Sequence, residues 1–249
     1  MRPTESRFWA AYAALYDRIW DSPFTRRVNQ VTLGDGPGIG TAVDLGCGTG
    51  LSSRELTRRG WRTIGVDTTP PMLARATTRG RITEAVLADA VATGLPAGQA
   101  SVVIVSNLLH LHPSPEAVLA EALRLVTPGG RIVCVWPADT ATWTTALKAD
   151  VGSGRPWFAA LLAAGLRVVI GLAGASVGAR RWPSPVVAAT IRRWGQDHAL
   201  PLLRDGRIAA LEEYAVFSCP VSAAESGASA DARPAPVAGR DSLICERTS

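Results

Sequence analysis

Two acids and three glycines carry the chemistry that this sequence states most plainly. Asp44 is followed by Gly46, Gly48 and Gly50, and Asp67 closes the next apolar run, Ile64-Gly65-Val66. Glycine lacks a Cβ and takes positive φ, so a turn with glycine at every second position lays bare backbone against a ligand. A helical pattern starting at Leu51 predicts unpaired N–H groups aimed at an anion. A carboxylate at the tip of the second strand of a βαβ unit can accept hydrogen bonds from both hydroxyls of a ribose. The ligand is therefore nucleotide-like. A dinucleotide fingerprint, Gly-x-Gly-x-x-Gly, needs glycine or alanine at position 51, and Leu51 is neither. That weighs against an NAD-dependent oxidoreductase.

Strand ends must position these residues. From residue 41 to 137, apolar runs alternate with helical stretches, the pattern of a parallel sheet covered on both faces. Ala88-Asp89-Ala90 ends the predicted third strand, and residues 101–106 read as a buried strand leading into Asn107-Leu108-Leu109-His110-Leu111-His112. Residues 115–127 read as a helix with Ser114 as N-cap and Pro115 in its first turn. Pro128-Gly129-Gly130 turns into a fifth strand ending near Trp136, a residue suited equally to a pocket wall or to the core.

Outside this stretch, residues 1–40 form a predicted helical cap, with Phe8, Tyr12, Leu15, Tyr16 and Ile19 in helical spacing. Residues 138–210 are read as mainly helical. Residues 214–219 and 242–245 are expected to be the two closing strands, joined across 222–240 by a flexible Ala/Ser/Gly/Pro-rich connection. The division is thus cap 1–40, core 41–137, helical region 138–210 and closing region 211–249.

The composition narrows the function further. A 249-residue chain with 47% hydrophobic and 19% charged residues forms one sizeable core, or a core with a small cap. The net charge of +5 invites a nucleic-acid reading. The single lysine, Lys148, and arginines scattered beside acids argue against it. Cys47, Cys134, Cys219 and Cys245 have no zinc-ligand spacing, so no metal is expected. The first residues carry no apolar stretch of signal length, and a cytoplasmic location is expected.

Taken in order, Val43-Asp44-Leu45-Gly46-Cys47-Gly48-Thr49-Gly50, Gly65-Val66-Asp67, Pro70-Pro71-Met72-Leu73, Ala88-Asp89-Ala90 and Pro128-Gly129-Gly130 resemble the blocks of class I S-adenosylmethionine-dependent methyltransferases of the small-molecule type. The resemblance covers about residues 8–137. It implies an α/β fold, a Rossmann-like doubly wound sheet of seven mostly parallel strands with an antiparallel last strand and a helical lid inserted after strand five. It also implies S-adenosylmethionine as cofactor. By the same resemblance, Asp44 orients the turn of Gly46, Cys47, Gly48 and Gly50 and reaches the methionine ammonium through water. Asp67 and Thr68 hold the ribose, while Met72, beside Leu73, covers the adenine. Asp89 and Ala90 take its amino group. Asn107 and Leu108 line the methionine end, and Tyr16, with Tyr12 beside it, folds over the cofactor.

Relatives carry Asn-x-Leu-His-His-Leu where this chain has Asn107 to His112, which makes His110 the implied general base, ahead of His112. The Asn-Pro-Pro-Tyr sequence of nucleobase-modifying methyltransferases is replaced by Asn107-Leu108-Leu109, so a small molecule is expected and nucleic acid is not. The apolar run 157–179, broken by Arg167, approaches membrane-span length. An arginine at mid-span costs about 2.5–3.5 kcal/mol, so a lid over an apolar pocket is favoured over a span; core or oligomer packing is the alternative. Peripheral membrane association stays compatible with it. The implied activity is methyl transfer to a small, apolar acceptor, oxygen first and carbon or nitrogen next, in a secondary-metabolic setting. The rivals are an NAD-dependent oxidoreductase and a non-methylating cyclase or binding protein on the same fold.

Overall fold

The computed structural model describes residues 3–34, 39–176 and 182–221. β1 (Thr41–Leu45), β2 (Arg62–Asp67), β3 (Glu84–Leu87), β4 (Ala100–Ser106) and β5 (Val126–Pro137) pair in parallel in the order β3-β2-β1-β4-β5. β7 (Glu212–Ser218) adds antiparallel to β5, and β6 (Leu202–Ile208) adds antiparallel to β7. β7 is therefore the one strand of this seven-stranded sheet running against the others, as the resemblance implied. β3 and β6 are its outer strands. Glu84 on β3 pairs with Arg62 at 2.6 Å, and β6 is exposed from Leu202 to Arg207.

The period of two along each strand sorts the core into two layers. Val43, Leu45, Val103, Val105, Ile132 and Cys134 face one cluster with Val118, Leu119 and Leu125 of α5 (Pro115–Leu125) and Ile191 and Trp194 of α8 (Ser184–Asp197). Ala42, Val102, Ile104, Val133 and Val135 face the opposite cluster. There they meet Phe24 and Val28 of α2 (Pro23–Leu33) and Ala146 of α6 (Trp143–Gly152). Each fully buried branched side chain contributes about 1.5–3 kcal/mol. The central strands are near-continuous apolar runs because both faces are covered.

A third cluster forms above the strand ends. Tyr12, Ala13 and Ile19 of α1 (Pro3–Trp20) pack on Met72 of α4 (Pro70–Thr78), with Leu166 and Ile170 of α7 (Trp157–Ser176) against them. The chain leaves α1 at Asp21, and the Ser22 hydroxyl accepts from the Thr25 N–H at 3.2 Å to start α2.

Three expectations need correction. The helical pattern does not begin at Leu51: Gly46, Gly48 and Gly50 all take positive φ, residues 51–53 form a turn, and α3 spans only Arg54–Arg58. Left-handed residues at alternate positions cannot propagate a right-handed helix. Ser114 precedes α5 but its side chain makes no capping bond. The region 138–210 holds three helices and then a strand, β6, so the partner of β7 is 202–208. The expected strand 242–245, the connection 222–240 and Cys245 lie outside the described residues. The apolar run 157–179 is helical as α7, and among the described residues no helix is long and apolar enough to cross a membrane.

Candidate active site

The strand ends β1, β2 and β4 open on one cavity beneath α1 and α4. Its floor is the glycine turn. The N–H groups of Gly46 and Cys47 both donate to the Val66 carbonyl, at 2.8 and 3.0 Å, which pins the turn to β2. A Cβ at Gly46 would lie 2.8 Å from Leu108 Cδ1, so only glycine lets the turn and the end of β4 close together. Tyr16 covers the turn from α1, its ring 3.7 Å from where a Cβ at Gly48 would sit, and burial raises its pKa well above the usual phenol value.

Asp67 closes β2 and faces the cavity. One carboxylate oxygen accepts from the Gly48 N–H at 2.9 Å and the other from the Thr69 N–H at 2.8 Å. Each oxygen keeps a lone pair for a further donor. Burial raises its pKa, and the Gly48 and Thr69 bonds pull it back. Asp44 is 2% exposed beneath the turn, its Oδ2 accepting from the Ser53 hydroxyl at 2.6 Å. Burial pushes its pKa to about 7; the Ser53 bond lowers it and the neighbouring Asp67 raises it. Neither acid carries an ion pair among the described residues. A buried and a half-buried carboxylate with no counter-charge among the described residues suit a ligand that is itself cationic and carries a ribose. S-adenosylmethionine, a sulfonium with an ammonium, fits that description.

Of the residues expected at the cofactor, Tyr16, Gly46, Gly48, Asp67, Thr68 and Met72 line the cavity, and so do Asp89, Ala90, Asn107 and Leu108. Asp44, Cys47 and Gly50 do not. Cys47 turns its thiol under the sheet against Gly65, where burial raises its pKa well above the usual value. Gly50, at φ 75°, is there because a Cβ would lie 2.9 Å from that of Arg81. Leu73 packs with Cys47, Ala76 and Ile82, leaving Met72 alone of the Met-Leu pair at the cavity.

The histidines exchange positions relative to expectation. Asn107 takes φ 54°, and the N–H groups of Leu111 and His112 both donate to the Leu108 carbonyl, at 2.9 and 3.0 Å. That single helical turn puts Leu108, Leu111 and His112 on the cavity side. His110 falls on the other side, where its carbonyl accepts from the Trp182 N–H at 2.8 Å. The Ser114 N–H lies 3.1 Å from His112 Nδ1, the Ser114 carbonyl lies 3.2 Å from the same nitrogen, and Nε2 lies 3.1 Å from Asp89 Oδ1. His112 thus orients the acid expected at adenine. Trp136 is 3% exposed and donates to Glu213 at 2.9 Å beside a separate cleft between α8 and the β6–β7 hairpin.

Two contributions escaped the sequence reading. Trp9 lines the cavity one heptad before Tyr16 on α1, a spacing that places both on one helix face. The second is a latch. Arg81, 3% exposed, pairs with Asp17 at 2.8 Å and Asp21 at 2.9 Å on α1 and its exit, and donates to the Thr49 carbonyl of the glycine turn at 3.1 Å. Thr49 also donates to Asp17 at 2.6 Å, and Arg54 to Asp21 at 2.8 Å. These ions tie the cap to the turn it covers.

Known proteins share these features. Residues 43–134 match the family described as a methyltransferase domain. The demethylmenaquinone methyltransferase of Mycobacterium tuberculosis is 32% identical over 177 residues, 70% of each chain. The ubiquinone biosynthesis O-methyltransferase of Pseudomonas paraeruginosa is 31% identical over 138 residues, 49% of this chain and 59% of that one. For the corresponding protein of Methylococcus capsulatus the match spans 40% of its length, so the chain covers about half of these relatives. The N-methyltransferase NodS of Bradyrhizobium japonicum, crystallised with S-adenosyl-L-homocysteine, shares the fold with a TM-score of 0.58 over 87% of this chain and 99% of that one, at 16% identity.

Proposed function

The chain belongs to the class I S-adenosylmethionine-dependent methyltransferases, and on that premise we propose that it methylates a small, largely apolar acceptor, at oxygen in the first place. The observation that carries this reading is Asp67. Its carboxylate is held at the tip of β2 by the Gly48 and Thr69 N–H groups, beside a turn whose position 51 is leucine. Bound S-adenosylmethionine supplies an activated methyl group, so the protein's task is alignment of donor and acceptor. On this reading Asp67 accepts from the ribose hydroxyls, Met72 and Trp9 cover the adenosine, and ionised Asp44 faces the ammonium through water. Leu108 and Leu111 give the acceptor an apolar wall. The names of the relatives, quinone-pathway methyltransferases among them, support a hydroxylated or quinone-type ring as the acceptor, with carbon or nitrogen acceptors next. A place in secondary metabolism is part of the same proposal.

Calorimetry with S-adenosylhomocysteine and with NAD tests it. The first should bind and the second should not, and Asp67→Ala should weaken the first about 10- to 100-fold, the loss of a charged hydrogen-bond acceptor. Binding of NAD in place of S-adenosylhomocysteine overturns the reading.

A further inference from the structure

At the cofactor cavity two polar side chains from distant parts of the chain meet, and the charge of a third reaches them. Asn107 follows β4, Arg167 lies midway along α7, and Glu212 opens β7. Asn107 Nδ2 donates to Glu212 Oε1 at 3.4 Å. Register explains the meeting: Glu212 stands opposite Pro137 at the end of β5, and the Asn107 N–H donates to the Val135 carbonyl of the same strand at 2.8 Å. Arg167 acts on Glu212 through its charge. It is held in place: Nη2 donates to Asp150 at 2.9 Å and to the Ile19 carbonyl at 3.2 Å, and its guanidinium lies 4.9 Å from the centre of the Trp20 ring. Asp150, fully buried, is gripped from the other side by Arg155 at 3.1 Å.

What remains of this cluster is unsatisfied. Asn107 Oδ1, Glu212 Oε2, Arg167 Nε and Arg167 Nη1 are all buried and have no hydrogen-bond partner. A buried polar atom left unpaired costs about 1–3 kcal/mol, and native proteins keep few of them. Four on three neighbouring side chains mark a place built for a polar ligand group. The cavity supplies the other half of the observation, since Asn107 lines it as well.

We propose that Asn107, Arg167 and Glu212 form the acceptor site, which takes a ring bearing a hydroxyl next to a second oxygen, with Glu212 receiving the hydroxyl proton. The proposal rests on the methyl-transfer reading above and adds the acceptor chemistry to it. Arg167 donates to the second oxygen, and Asn107 holds Glu212 toward the first. In the step, the acceptor O–H bond breaks and its proton passes to Glu212 Oε2. The oxygen pair forms the new bond to the methyl carbon while the carbon–sulfur bond breaks and leaves its pair on sulfur. The sulfonium charge and the carboxylate charge disappear together. Glu212 then returns the proton to solvent. Burial raises the Glu212 pKa to about 8, with Asn107 and Arg167 the groups that pull it down, so the basic form appears just below the range where phenols ionise.

The test uses the full chain with catechol and phenol as probes, whose hydroxyls stay protonated through pH 8. Catechol should bind the protein loaded with S-adenosylhomocysteine, and phenol, which lacks the second oxygen, at least about tenfold more weakly. With S-adenosylmethionine, Glu212→Gln should lower kcat for catechol about 10²- to 10⁴-fold while KM and S-adenosylhomocysteine affinity stay within a few-fold. The rise in wild-type rate through about pH 8 should vanish in this variant, and Glu212→Asp should restore part of the rate. A Glu212→Gln enzyme with wild-type kcat overturns the proposal. So does a wild-type protein that binds S-adenosylhomocysteine yet neither binds nor methylates catechol, or that binds both probes equally. Failure to bind S-adenosylhomocysteine at all removes the methyl-transfer reading first, and this one with it.

Discussion

The two sides of the site are assembled by different means. On the cofactor side, bare backbone does most of the holding: Gly46, Cys47 and Gly48 spend their N–H groups on Val66 and Asp67, all within two adjacent strand ends. On the acceptor side, long side chains reach across the fold, and the bond from Asn107 to Glu212 joins positions 105 residues apart. A surface made of backbone survives many substitutions so long as its glycines stay. A surface made of side chains changes with one replacement. The pair shows how a single sheet can keep one ligand fixed while the other is exchanged.

Three experiments bear on that contrast. The largest effect is expected at Arg81, because the cofactor side is not backbone alone. Arg81→Ala leaves Asp17 only Arg79 and Asp21 mainly Arg54 as ion-pair partners, and should cost about 1.5–3 kcal/mol in denaturant unfolding, the loss of charged hydrogen bonds whose acceptors keep another partner. A loss below about 1 kcal/mol would mean that the cap is held by its apolar cluster instead. The next effect concerns Asp44. With its pKa raised to about 7 in the folded chain, it holds a proton that the unfolded chain has lost, so its contribution to stability falls as pH rises from about 4 to 7. A cationic cofactor needs the ionised form. Affinity for S-adenosylmethionine should therefore climb by up to about tenfold per pH unit below 7, with proton release in calorimetry, and Asp44→Asn should flatten the climb. A flat wild-type profile would separate Asp44 from the ligand.

The smallest effect tests the acceptor side. Ala209 and Ala210, the turn that delivers Glu212, have φ of 48° and 56°. Left-handed backbone costs a non-glycine residue about 1–2 kcal/mol, so Ala210→Gly should raise the melting temperature by a few degrees, about 1 kcal/mol. Unchanged melting would show that the turn carries no strain.

The same contrast governs how much of the molecule was legible in its sequence. The parallel core and the glycine turn could be read because each signal is local: apolar runs, alternating glycines and an acid at a strand tip. The start of α3 was misplaced because the turn opened by Gly46, Gly48 and Gly50, all at positive φ, runs on through residues 51–53, past the point where the apolar pattern resumes. The β6–β7 hairpin was missed because its turn is Ala209-Ala210, without the Asn-Gly or Asp-Gly that usually marks two left-handed residues. Which histidine faces the cavity turned on one dihedral angle, at Asn107. Glu212 could not be found at all from composition or spacing, since its place depends on the register of β7 against β5.

The ends of the sheet have a consequence of a different kind. An outer strand exposes a row of free peptide groups onto which another chain can add, and that is how folded proteins begin to polymerise. β6 runs exposed through Arg204, Asp205 and Arg207, with Arg207 tied to Asp139 at 3.0 Å, and β3 presents the Arg62–Glu84 pair. A chain docking on either margin would have to strip water from those charges. Among the described residues, both outer strands of the sheet thus carry charge that disfavours edge-to-edge addition of another chain.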